Sequence, residues 1–165
     1  MTRGGGFGIA NLISLAIAVT IPVAVGGLSG FITAQGVRDW YPTLIKPSFN
    51  PPAWVFGPVW TLLYLMMGIA AFMVWQRGWN QGAVKAALAL FAFQLLLNGL
   101  WSVLFFGMRA PGLAFAEILL LWVSIGGTVV LFWRVDPVAG MLLLPYQAWV
   151  TFAAVLNASI WILNR

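Results

Sequence analysis

The stretch LAFAEILLLWVSIGGTVVLFW, Leu113 to Trp133, decides the fold class. It carries one ionisable side chain, Glu117, and lacks the every-second-residue alternation of a barrel strand. As a helix rising 1.5 Å per residue, roughly 20 such residues cross the ~30 Å hydrocarbon core of a bilayer. In that core every backbone N–H and C=O must be satisfied within the protein, and a helix does this locally. Four more stretches of the same kind flank it, at about residues 9–34, 55–75, 83–106 and 138–163. The reading is an all-α membrane protein, a bundle of five transmembrane helices forming one domain over residues 1–165.

Working outward, little remains to form a soluble body. The chain is 62% hydrophobic and 7% charged, where a soluble domain is roughly a quarter charged. The first span, with Arg3 as its basic flank, is too long for a signal-peptide core and is read as a retained helix. Lys85 sits near a span end, where it can snorkel. The net charge of +5 comes from basic residues scattered at span ends, with no run among them. They suit lipid headgroups, and nucleic acid is not expected as a partner. Five spans put the termini on opposite sides. Arg3, Arg77, Lys85 and Arg134 then face Arg38, Lys46, Arg109 and Arg165, a balance that leaves orientation open.

The inventory of reactive groups is short. Cys and His are absent, and the carboxylates are Asp39, Glu117 and Asp136. Thiol chemistry, imidazole acid–base catalysis and His or Cys metal ligation are therefore excluded, and no metal site is expected.

Polar and aromatic residues gather on particular helix faces. Gln94, Asn98, Trp101 and Phe105 share one side of the third helix. Trp60, Tyr64 and Met67 form a stripe on the second, Tyr146, Trp149, Ala153 and Asn157 on the fifth, and Glu117, Ser124 and Thr128 on the fourth. Buried amides need partners, so these faces point inward. They describe either an intramembrane cavity lined by indole, phenol and amide groups or interhelical glue with ordinary aromatic packing. Glu117 is read as a protonated carboxyl bonded to a neighbouring helix. The pairs Gly26/Gly30 and Ala83/Ala87 allow close backbone approach, within the bundle or between two copies. Between the first two spans, residues 35–53 hold Trp40, Tyr41, Phe49 and four prolines. That stiff aromatic segment is either a lid over a cavity or a belt at headgroup depth.

Trp40-Tyr41, Lys46-Pro47-Ser48-Phe49-Asn50-Pro51-Pro52 and the run from Trp54 to Tyr64 resemble the TspO/MBR family of tryptophan-rich sensory proteins, related to the mitochondrial translocator protein. Gln94 to Asn98 with Trp101, Phe105-Phe106-Gly107 before Arg109, Pro145-Tyr146, Ala148-Trp149 and Leu156-Asn157 extend the resemblance along the chain. It implies a five-helix bundle, often a homodimer, with a ligand cavity beneath the first loop. It further implies binding of porphyrins such as protoporphyrin IX or haem, or of another planar hydrophobic ligand, beside membrane lipid. Carried over by position, the ligand-binding residues are Tyr41, Trp60, Tyr64, Asn98, Trp149 and Ala153, joined by Trp101 from the face pattern. Phe49 stands where many members have Trp, and Ala158 and Ile162 depart from the eukaryotic cholesterol motif.

The expectation is a multi-pass sensory or regulatory protein of the bacterial cell membrane that requires no cofactor and takes porphyrin or haem as its ligand. Two alternatives stay open. One is light- and oxygen-dependent porphyrin degradation, with Trp60 and Trp149 as candidate catalytic, oxidisable side chains. The other is transport of porphyrins or other small hydrophobic ligands.

Overall fold

The computed structural model describes residues 8–165; Arg3 lies outside the described residues. The helices are α1 (Ile9–Gln35), α2 (Ala53–Gln76), α3 (Gly82–Ser102), α4 (Pro111–Val135), α5 (Pro137–Leu142) and α6 (Leu144–Leu163). Among the described residues there is no strand, and five stretches are long and apolar enough to cross a membrane. The fifth is α5 and α6 together, so the five-span all-α architecture stands.

Around the bundle the order runs α1, α2, α5–α6, α4, α3 and back to α1. Apolar surface places these helices in lipid but does not press them together, because acyl chains are as apolar as leucine; close packing and interhelical hydrogen bonds do that work. The α1–α2 crossing illustrates it. Pro22 lies inside α1 and has no N–H to give the Ala18 carbonyl. That carbonyl faces Gly68 of α2, where a Cβ would sit 2.8 Å from the Ala18 oxygen and 2.5 Å from the Val19 Cα. The backbones touch there because both residues are what they are.

Pro145 divides the last span. It cannot donate to the Met141 carbonyl, so α5 stops at Leu142 and α6 starts anew at Leu144. Before α5, Asp136 caps the helix by accepting from the Val138 and Ala139 amides at 2.9 and 3.3 Å. The same carboxylate takes Arg77 Nη2 at 2.6 Å and Nε at 3.0 Å, tying the end of α2 to the α4–α5 corner. Burial pushes the Asp136 carboxyl up, but Arg77 and the two amides outweigh it and hold the group below its ordinary value.

Residues 35–53 are more ordered than a loop. α1 continues through a π turn, Gly36–Trp40, and a 3-10 turn, Tyr41–Thr43, leaving only 44–52 irregular. A second π turn, Val103–Gly107, extends α3 and packs on the first. A Cβ on Gly36 would overlap the Phe106 carbonyl, so glycine is what lets the two turns meet.

Of the small-residue pairs, Ala87 is fully buried in the core beside Val84 and Phe91, so it serves internal packing. Gly26 lies directly against the Tyr64 ring, which a Cβ would overlap, whereas Gly30 has nothing near its Cβ position.

Candidate ligand-binding cavity

The half of the bundle nearer the 44–52 segment is hollow. A cavity of about 470 Å³ lies among α1, α2, α3 and α6, within the roughly 300–1,000 Å³ typical of small-molecule sites. All seven residues expected to bind ligand line it: Trp60 and Tyr64 from α2, Asn98 and Trp101 from α3, Trp149 and Ala153 from α6, and Tyr41.

Aromatic geometry shapes the walls. Trp60 stacks on Tyr64 with centroids 5.4 Å apart and planes 27° from parallel. Trp101 stacks on Phe105 at 5.1 Å. Trp149 meets Phe56 edge to face at 5.9 Å, bracing α6 against α2. The facing π turns deliver the upper wall, where Tyr41 packs edge-on to Phe106 at 5.6 Å.

The polar side chains are engaged with one another. Tyr64 Oη donates to Asn98 Oδ1 at 2.7 Å, Asn98 Nδ2 donates to Tyr146 Oη at 3.1 Å, and Tyr146 Oη donates to Gln94 Oε1 at 2.9 Å. This chain joins α2, α3 and α6 and forms the lower boundary of the hollow. Trp101 Nε1 donates to Asn157 Oδ1 at 2.9 Å, and Asn157 Nδ2 donates to the Pro111 carbonyl at 2.8 Å, which anchors the start of α4. The two readings of the helix faces therefore both hold: the amides join helices, and the rings surround an open space.

Beyond the network lies a core of buried side chains that includes Met67, Val74, Phe91, Ile125 and Phe132. Glu117 is buried on α4, but neither carboxyl oxygen has a hydrogen-bond partner among the described residues. The bond to a neighbouring helix expected for it is not formed. Its neighbours on that face, Ser124 and Thr128, turn their hydroxyls back onto their own helix, to the Leu120 and Ser124 carbonyls. Trp149 Nε1 is likewise buried without a partner.

Above the hollow, segment 44–52 is fastened at two points. Tyr41 Oη donates to Asn50 Oδ1 at 2.7 Å. Asn164, just past α6, accepts from the Ile45 amide and donates to the Ile45 carbonyl, both at 2.9 Å. Lys46 lies over the Tyr41 ring, and Phe49 meets Phe152 edge to face at 6.3 Å.

Sequence reasoning missed Ser29 and Ser102, whose side chains also line the cavity. A signal existed on α1, where Gly26, Ser29, Gly30 and Thr33 recur at helical spacing and are the residues presented to the hollow.

These features define a class: a polytopic helical membrane protein with an aromatic-walled cavity among its spans. Residues 18–162 match the TspO/MBR family. The chain is 44% identical over 154 residues to the tryptophan-rich protein TspO of Chlorobaculum tepidum, covering 93% of this chain and 98% of that one. It is 42% identical to the protein of the same name from Archaeoglobus fulgidus, over 93% and 99% of the two chains. It is 40% identical to the translocator protein of Homo sapiens, over 88% of each. The chain belongs to the TspO/MBR family and is a multi-pass integral membrane protein.

Proposed function

We propose that the protein is a receptor of the bacterial cell membrane for a planar, largely apolar tetrapyrrole such as protoporphyrin IX or haem, acting in sensing or regulation and working as a homodimer. One observation carries this reading: a roughly 470 Å³ hollow among the apolar spans, walled by Trp60, Tyr64, Trp101 and Trp149. Flat aromatic walls favour a flat aromatic guest, through dispersion and offset or edge-on ring contacts. With no His or Cys in the chain, a haem would be held by packing against the rings rather than through imidazole or thiolate.

Titration of the purified protein with protoporphyrin IX, followed by quenching of tryptophan fluorescence, tests the reading. Trp60→Phe and Trp149→Phe should each weaken binding about two- to tenfold, the worth of roughly 0.5–1.5 kcal/mol of ring contact. Unchanged affinity in both variants refutes the site.

A further inference from the structure

The side chains that look best suited to a ligand's polar edge, Tyr64 and Asn98, are already bonded to each other. Most helical hydroxyls of this bundle follow one habit. Ser14, Thr33, Thr61, Thr151 and Ser159, like Ser124 and Thr128, each donate to the carbonyl four residues earlier. That internal bond satisfies a hydroxyl in hydrocarbon. Thr20, Ser29 and Ser102 do not, and of these only Ser29 and Ser102 line the cavity; neither serine hydroxyl has a hydrogen-bond partner among the described residues. Ser29 is only 8% exposed. Its Oγ lies 3.3 Å from where a Cβ on Gly99 would sit, and Ser102 is the next turn along that helix. The two residues thus sit about a turn apart where α1 meets α3. Both hydroxyls open onto the cavity and are free to donate to an acceptor that a guest brings in place of water.

We propose that the Ser29 and Ser102 hydroxyls are the polar recognition point of the cavity, donating hydrogen bonds to a carboxylate or carbonyl oxygen on an otherwise apolar, planar ligand. This rests on the reading of the cavity as a porphyrin site and adds the means of selection within that class. The rings accept any flat apolar body, while the serine pair selects those carrying an oxygen acceptor at one edge. Discrimination of this kind is effective because a site built around a polar group penalises the analogue that lacks it.

Two porphyrins separate the contributions: protoporphyrin IX, which bears carboxylates, and etioporphyrin, which bears alkyl groups alone. Affinities are read by tryptophan quenching in the same micelles for wild type, Ser29→Ala, Ser102→Ala and the double variant. Wild type should prefer protoporphyrin IX. Each single variant should lose about five- to tenfold of that affinity and the double variant more, with etioporphyrin binding unchanged. The unliganded variants should melt no lower than wild type, since the missing hydroxyls make no bond within the protein. Equal losses for both porphyrins, no loss for either, or a lowered melting temperature of the empty variants would overturn the proposal while leaving the cavity reading intact. Failure of wild type to bind either porphyrin overturns both.

Discussion

The bond between Tyr64 and Asn98 offers a quantitative test of how the cavity's lower boundary is held. Tyr64→Phe removes one donor and leaves the ring stacked on Trp60. Asn98 Oδ1 then loses a partner at a site only 3% exposed. A neutral hydrogen bond is worth about 1 kcal/mol net in water-soluble proteins. Interhelical bonds in membrane proteins average ~0.6 kcal/mol and reach ~1.7. We expect Tyr64→Phe to cost about 1 kcal/mol. Asn98→Ala breaks two bonds, from Tyr64 and to Tyr146, and leaves a small void. It should cost roughly 2–3 kcal/mol. In the double variant the shared bond is counted once, so the combined loss should fall short of the sum by about 1 kcal/mol. Reversible denaturation in mixed micelles, followed by helical circular dichroism, measures all four corners of the cycle. Additivity within about 0.3 kcal/mol would refute the argument, because a 2.7 Å bond between two buried groups cannot be energetically silent in both.

Further outcomes follow from features elsewhere in the bundle. Gly26→Ala places a methyl into the Tyr64 ring and should lower stability by roughly 1–3 kcal/mol through overpacking; an unchanged thermal midpoint would argue against the close approach. Asp136 titrates in the folded protein below its ordinary value of 3.8, so its contribution is complete above that pH and is lost as pH falls through the depressed folded value. Melting curves collected from pH 6 down to about pH 2 should show that loss in wild type, and the corresponding component should be missing in Asp136→Asn. Asn164→Ala removes the two bonds to Ile45, both at the exposed rim. Hydrogen exchange of the Ile45 amide should rise about tenfold while core amides stay protected; an equal rise throughout would mean that the segment is not a separate unit.

The sequence made the spans and the inward faces legible for one reason: a bilayer allows neither unpaired backbone nor stray polar side chains. Gln94, Asn98, Trp101 and Phe105 had to share a buried face, and they do. What periodicity could not convey was which polar group pairs with which. Tyr64 and Asn98 were natural candidates for a ligand's edge, yet each is the other's partner, a relation set by how α2 and α3 cross. Ser29 is not legible as a site residue because serine in a membrane helix usually bonds its own backbone, and the exception depends on how α1 meets α3. The extent of segment 35–53 was misjudged because its prolines and aromatics disguise a helix that continues, with wider turns, to Thr43. The break before α6 needed only Pro145, but apolar composition runs through it and hides the interruption. Glu117 was expected to find a neighbour, and nothing in a single chain's pattern reveals that it stands alone.

The hydrogen-bonded chain from Tyr64 through Asn98 and Tyr146 to Gln94 gives the hollow a floor held by three helices at once. Below it lies the core that holds Met67 and Phe132, both fully buried. Separating those helices at that level would mean breaking three linked bonds together.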